Sequence, residues 1–275
     1  MLGVSGMQAT AARTPQDVLD PFDEASSSAR SFRKANFRSH ISSDSFDQMC
    51  QHGRCVRYGQ GETVFHEGDP AFGLYVIDSG KVKLSKRTYN GKKMIMRLLG
   101  PKDLMGTEAV FDHSAYDTDA ETLENAALHF LDRPTLWALL QQTPELRAQL
   151  LGHLSSELIQ LRTWLLETAY AGSLKRLTHV LLMLAEKFGS PVNVDGQMGV
   201  DLGLCLMRGE LAELAGLTTE TTIRILRKFQ QRSWLVLQKH RVVLLQLEAL
   251  LSVLDVDNEM ALSGRGARTT IDNSL

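Results

Sequence analysis

The sequence predicts an α+β protein made of a β-barrel, one long helix and a small helical module that closes in a β-hairpin. Three observations carry this reading. Short apolar runs punctuated by glycines fill residues 55–133. Leucines of helical period follow from 143, and residues 208–227 read RGELAELAGLTTETTIRILR, two helices around a glycine. Composition agrees. At 275 residues the chain has room for about two domains. Hydrophobic residues make up 43% and charged residues 23%, ordinary for a globular protein. The 30 Lys+Arg against 32 Asp+Glu give a net charge of −2, which excludes a uniformly basic coat and permits a local basic patch. No apolar run approaches the ~20 residues of a membrane span. The first residues, MLGVSGMQATAARTP, lack the basic-then-apolar order of a secretion signal. Three cysteines make no disulfide scaffold, so the cytoplasm is the expected location.

The expected boundaries are a disordered tail over 1–30, a barrel over 31–142, a long helix over 143–169, an α-rich module over 170–250 and a flexible tail over 251–275. In the barrel, Thr63–Phe65, Leu74–Ile77, Val82–Leu84, Met94–Leu99 and Ala127–Leu131 read as strands. Asn90-Gly91 between two of them predicts a hairpin with a tight primed turn, which needs positive φ. Phe65, Phe72, Tyr75, Phe111 and Phe130 are spaced like barrel core.

At Thr143 the apolar period becomes helical. Thr143 can cap, Pro144 suits the first turn and Glu145 complements the dipole. Leu150, Leu154, Leu158, Leu161 and Leu165 recur at +4, +4, +3 and +4 along ~25 residues, or ~37 Å of helix. Such a stripe packs either on its own barrel or on a second copy; the coiled-coil dimer is the preferred reading. After Ala171-Gly172, a second helical face is made by Leu177, Val180, Leu181, Leu184 and Phe188, and Gly189-Ser190-Pro191 stops it. Residues 171–250 hold ten basic against seven acidic side chains, a sign that suits a module meeting phosphate.

Within 208–227, Ala212, Gly216, Leu217 and Ile225 meet the small, turning and apolar requirements of a helix-turn-helix. Thr218 is placed to cap the second helix, whose outer face would show Thr219, Glu220, Ile223 and Arg224. Glu220 and Arg224 are i, i+4 neighbours. Such a pair also occurs on plain solvated helices. An arginine can donate two bonds to guanine O6 and N7, and a glutamate can accept from cytosine N4. Trp234–Leu237 and Val242–Gln246 read as a hairpin wing. Its tip residues Lys239, His240 and Arg241 either reach phosphates or are an ordinary charged tip.

Barrel, long helix and winged helix-turn-helix in this order resemble the Crp–Fnr family of bacterial transcription regulators over residues 35–248. GETVFHEGDPAFGLYVIDSGKVKL (61–84) resembles that family's sensor barrel and GLTTETTIRILRKFQ (216–230) its recognition helix. The resemblance implies a cyclic-nucleotide-binding-like jelly roll, a dimerisation helix with Leu150, Leu154, Leu158, Leu161 and Leu165 at the interface, and a C-terminal winged helix-turn-helix. It implies contact with double-stranded DNA by Thr218, Thr219, Glu220, Thr221, Ile223, Arg224, Arg208 and Lys228, with Lys239 and Arg241 on the wing. Glu220 and Arg224 match the first and last members of the E-x-x-S-R reading set of the fumarate–nitrate branch. Ile223 stands at the serine and would favour a thymine methyl. These contacts imply a two-fold site with TGA-like halves. Met207 stands where the family has a capping Ser or Thr.

The resemblance places an effector pocket at Gly106, Thr107, Glu108, Thr118 and Asp119. The cyclic-nucleotide branch has Gly-Glu, then Arg-Ser or Arg-Thr. Here Thr107 follows Gly106, and Glu108 lies one residue late, on the other side of an extended chain. Residues 111–122, FDHSAYDTDAET, hold no arginine or lysine. A cyclic phosphate would meet carboxylates without a cation. The expectation is a barrel without the cyclic-nucleotide-binding signature, with cAMP binding unfavourable. Four cysteines for an iron–sulfur cluster are absent, since the chain has Cys50, Cys55 and Cys205. Cys50 and Cys55, near His40 and His52, could bind metal or pair, and unpaired thiols are expected. Haem would need His66, His113, His129 or His153, and is not expected. Lys86, Arg87, Lys92 and Lys93 flank the hairpin and either contact RNA polymerase or are simply solvated. The contrasting class, a ligand-binding module sensing redox, haem or a small metabolite without DNA, lacks a use for 208–227. No Walker loop, G-x-S-x-G elbow or dinucleotide fingerprint points to an enzyme.

Overall fold

In a computed structural model, residues 41–238 and 241–254 are described. The expected tail over 1–30 lies outside these residues. Helix α1 (Ser43–His52) leads into eight strands. Strands β1 (Arg54–Tyr58), β8 (Ala126–Asp132), β3 (Gly73–Ser79) and β6 (Leu104–Met105) form one antiparallel sheet in that order. Strands β2 (Thr63–Phe65), β7 (Asp119–Thr122), β4 (Val82–Arg87) and β5 (Lys93–Leu99) form the second. This is the double-sheet solution to the exposed-edge problem, a jelly roll. Ile77, Val82, Leu84, Leu99, Met105, Ala120 and Leu128 fill the space between the sheets. Phe65 stacks on Tyr116 there with ring centres 3.9 Å apart. Phe72, expected in this core, is instead 72% exposed, because the chain between β2 and β3 turns it outward.

The Asn90-Gly91 hairpin forms, with a looser turn than the sequence predicts. Thr88 and Lys92 close a three-residue loop, the Thr88 N–H donating to Lys92 O at 2.9 Å. Gly91 alone takes the left-handed conformation, at φ 78°; Asn90 does not. A three-residue hairpin with glycine at that position matches strand twist as well as a primed turn does.

Helix α2 (Thr107–Asp112) and helix α3 (Arg133–Gln142) flank the barrel. Asp132 caps α3, accepting from the Thr135 N–H at 2.8 Å. Helix α4 (Pro144–Tyr170) is the long helix, 27 residues or about 40 Å. Its stripe differs from the expected one at the first position. Leu150 is buried in its own chain, packed with Leu146, Leu136, Leu139 and Leu140. The exposed leucines begin at Leu151, which is 66% exposed. Leu151, Leu154, Leu158, Leu161 and Leu165 then step by 3, 4, 3 and 4, the heptad spacing of a coiled-coil seam.

The C-terminal module starts with helix α5 (Ser173–Phe188). Helices α6 (Arg208–Ala215) and α7 (Thr219–Gln231) follow, with a four-stranded sheet in the order β11 (Leu235–Gln238), β12 (Arg241–Leu244), β10 (Gln197–Asp201) and β9 (Ser190–Val194). Residues 247–254 are helical and bury Leu250 and Leu251. The flexible tail expected from 251 therefore starts too early, because Leu250 and Leu251 complete the module's core.

Module and barrel share one core. Ile95 and Leu98 of β5 are buried with Leu177, Leu181, Leu211 and Leu214 of the module. In a regular strand, residues three apart face opposite sides. Here Leu84 pairs with Arg97 and Ser85 with Ile95, so Met96 is an extra residue, a β-bulge that brings Ile95 and Leu98 to one outer face. Lys187 of α5 reinforces the seam, donating to Leu98 O at 2.9 Å and pairing with Asp103 at 2.7 Å. Among the described residues no helix is long and apolar enough to cross a membrane.

A Cβ on Gly73 would lie 2.1 Å from Leu131 O, across the β3–β8 pairing. Gly73→Ala should therefore destabilise the chain by about 3 kcal/mol, measured as a fall in the urea midpoint at unchanged slope.

Candidate nucleic-acid interface and sensor region

The turn between α6 and α7 is built as the sequence predicts. Gly216 is left-handed at φ 60°, a conformation that strains any L side chain. The Leu217 N–H then donates to Ala212 O at 2.9 Å. Thr218 caps α7, its hydroxyl accepting from the Thr221 N–H at 3.2 Å. One face of α7 is locked inside: Thr222, Ile225, Leu226 and Phe229 are buried, and Phe229 stacks on Trp234. That burial aims the opposite face outward. Thr219, Glu220, Arg224 and Lys228 are exposed, and Thr221 and Ile223 are half-buried beside them. Arg227, which the sequence reading passed over, is exposed on the same helix; its signal was its position three residues beyond Arg224.

Arg208 opens α6, and its Nη1 is buried without a hydrogen-bond partner. Desolvation pulls its pKa below the usual arginine value. Met207 supplies no side-chain oxygen to cap α6. Glu210 takes over part of the task, accepting from the Met207 N–H at 2.9 Å. On the wing, Arg241 is tied to Asp201, a buried carboxylate of β10 that also accepts from the Gly203 N–H at 3.0 Å. This ion pair is structural, yet the Arg241 side chain stays 57% exposed. Lys239 and His240 lie outside the described residues. Strands β9 and β10, which complete this sheet, were not anticipated, because Pro191 and three glycines break their pattern.

The proposed effector residues fall into two groups. Gly106, left-handed at φ 80°, starts α2; Thr107 is buried behind it and Glu108 is exposed. The chain is helical here, so the extended geometry expected around Glu108 is corrected. Glu108 accepts from the Thr107 hydroxyl at 3.1 Å. Desolvation and the nearby Glu157 carboxylate raise its pKa, and Arg97 works against them. Thr118 is buried before β7, and Asp119, the first residue of the strand, is half-buried. Asp119 accepts from the Glu67 N–H at 3.0 Å and lies 3.4 Å from His66 Nδ1. Sequence reading missed Arg97, which pairs with Glu157 of α4; His153 Nε2 is 3.1 Å from the same carboxylate oxygen. Burial opposes ionisation of Glu157, but His153 and Arg97 hold its pKa below normal. Cys50, Cys55 and Cys205 are free thiols. Burial, helped by Asp78 and Asp47, pushes Cys50 up to about 11, so it is a poor nucleophile.

A jelly-roll sensor joined by a long helix to a winged helix-turn-helix is the architecture of a DNA-binding regulator. The comparisons with known proteins agree. The cyclic nucleotide-binding domain family matches residues 55–143, and the Crp-like helix-turn-helix domain family matches residues 175–253. A CRP-like cAMP-activated global transcriptional regulator of Mycobacterium tuberculosis is 31% identical over 195 residues, 71% of this chain and 85% of that one. The transcriptional activator protein anr of Pseudomonas aeruginosa is 28% identical over 188 residues, 68% of this chain and 74% of that one. In fold, the structure of the c-di-GMP responsive regulator CLP from Xanthomonas campestris aligns with a TM-score of 0.64 at 22% identity, covering 74% of this chain and 99% of that one. FixK2 from Bradyrhizobium japonicum gives 0.62 at 20%, covering 73% and 96%. The chain belongs to the Crp–Fnr family of transcription regulators. The match over 55–143 also corrects the expectation of a barrel without the cyclic-nucleotide-binding signature: the domain is of that family.

Thr218→Ala removes the cap of α7 and should lower stability by about 1 kcal/mol, read as a lower Tm with the mass in solution unchanged.

Proposed function

We propose that the chain acts as a homodimer that binds a two-fold symmetric DNA site with TGA-like half-sites. The observation that carries this reading is the pair Glu220 and Arg224, one turn apart on the outward face of α7, whose inner face is locked in the core. Arg224 donates two bonds to guanine and Glu220 accepts from cytosine on the opposite strand. Ile223 lies against a thymine methyl. Thr219, Lys228 and Arg208 contact phosphates, with Arg227 beside them, and help set the register. The exposed leucines of α4 supply the dimer seam, which spaces two recognition helices by one turn of DNA, ~34 Å. Arg87 and Lys92, exposed at the β4–β5 hairpin, suit a contact with RNA polymerase. Lys86 and Lys93 suit it less, as they pair with Glu67 and Glu121.

For the effector, the reading is that cyclic AMP does not bind. In support, residues 111–122 hold no arginine or lysine, and Thr107 occupies the place of the ribose-binding glutamate. The nearby guanidinium, Arg97, is already paired with Glu157. The Mycobacterium tuberculosis relative's description as cAMP-activated favours the opposite reading, and calorimetry decides between them. No saturable heat is expected; a micromolar dissociation constant overturns the proposal.

Two further outcomes follow for DNA. An operator is first selected from a random oligonucleotide pool. Arg224→Ala should then weaken operator binding by about 1–3 kcal/mol and leave binding to unrelated duplex nearly unchanged. The pair Leu158→Asp and Leu161→Asp should sediment at the mass of one chain and bind operator at least about a hundredfold more weakly, because two half-sites are then engaged independently.

A further inference from the structure

Lys83 lies on β4, opposite Leu98 of β5 and Glu121 of β7, in one row across the outer face of the sheet. Helix α6 covers this row. The lysine side chain is only 9% exposed. Its ammonium lies 2.9 Å from a Glu121 oxygen and 3.0 Å from Glu210 Oε1. The other oxygen of Glu210 is the one that holds the Met207 N–H and so starts α6. Burial would push Lys83 towards its neutral form; the two carboxylates outweigh it and keep the pKa above that of a free lysine. Glu213 is close enough to feel the charges of Glu210, Glu121, Lys83 and Lys93. Without Lys83, three carboxylates would face Lys93 alone, 3.6 Å from Glu121.

The covalent link between the two domains imposes little. Residues 171–172 break the helix, and a Cβ on Gly172 would meet nothing within 4 Å. The angle of the module is therefore set by contacts, and α6 is rigidly coupled to α7 through the Gly216 turn.

We propose that Lys83 is a positioning residue that couples the barrel to DNA reading: by joining Glu121 on β7 to Glu210 on α6, it fixes the angle at which the recognition helix leaves the barrel. The proposal rests on the DNA-binding reading above. It also gives the sensor a route out. Asp119 and Glu121 belong to the same four-residue strand, so a ligand or partner that moves residues 118–119 moves one carboxylate of the bridge. The docked module leaves Glu220, Arg224 and Lys228 exposed, so the bridge holds a DNA-competent arrangement and does not mask it.

The test compares Lys83→Gln and Glu210→Gln with wild type on the selected operator. Glutamine at 210 keeps an acceptor for the Met207 N–H and removes the charge. Lys86→Gln, on the same strand but in an exposed pair with Glu67, is the control. Both bridge variants should bind operator about tenfold more weakly, and the double variant no worse than either single one. Dimer mass, helix content and the salt slope on unrelated duplex should stay as in wild type. Hydrogen exchange, read without DNA, should speed up in 82–99 and 208–215 and stay unchanged in β1 and β8. Wild-type affinity with wild-type exchange in both variants overturns the coupling, and so does tighter operator binding, which would make the bridge a restraint. A wild-type chain that enriches no oligonucleotide overturns the DNA reading instead, and the exchange data still judge the bridge.

Discussion

One extra residue in a barrel strand governs how this chain is put together. Met96 interrupts the pairing of β4 and β5, and because of it Ile95 and Leu98 leave the barrel's outer face together. Two apolar side chains on one outer face would expose a hydrophobic ledge; here the helices of the DNA-binding module cover it. Each such burial contributes roughly 1.5–3 kcal/mol. The seam is also guarded by charge. Lys83 and Lys187 cross it in opposite directions, one from barrel to module and one from module to barrel. The apolar contacts supply adhesion without direction, and the lysines supply register, since a buried ammonium without its carboxylates is strongly disfavoured.

This arrangement changes how the net charge should be read. A chain at −2 looks unsuited to DNA, but several basic side chains are engaged inside the protein: Lys83, Lys187, Arg97 and Arg241 each hold a carboxylate. Those on α7 are not. Thr222, Ile225, Leu226 and Phe229 fix the helix by one side, so Arg224, Arg227 and Lys228 project from the other. Electrostatic attraction to phosphate depends on where cations stand, and the module sets three of them on the exposed face of α7.

What the sequence made legible was whatever is encoded locally. The Gly216 turn, the Thr218 cap and the apolar period of α5 depend on neighbours within a few positions, and each stands where the sequence predicts it. The errors share a different origin. Leu150 and Leu151 are both leucines on one helix, and only the packing of α3 against α4 decides that the first is core and the second is exposed. Glu108 was expected on an extended chain, yet a left-handed Gly106 starts a helix over 107–112. Leu251 resembles a tail until the module's core needs it. Lys83 was invisible for the strongest reason: its partners are 38 and 127 positions away, and a lysine in an alternating strand normally marks the solvated face. Its burial follows from the bulge that brings α6 down over it.

Helix α4 divides its work along its length, and that division bears on how a signal could travel. The first turns bury Leu146 and Leu150 in the barrel's own core. The middle carries His153 and Glu157 against Arg97 of β5, and the last turns present leucines at heptad spacing. The helix is thus anchored to the barrel at one end and carries an exposed apolar stripe at the other. The Arg97–Glu157 pair sits where those roles meet. A change in β5 then has two exits, one through Arg97 into helix α4, and one through Leu98 and its neighbour Lys83 into α6. Both start from the same bulged strand, so the placement of α4 and the tilt of α7 cannot be adjusted independently. In a protein of this build, a change at the barrel reaches the long helix and the helix-turn-helix together.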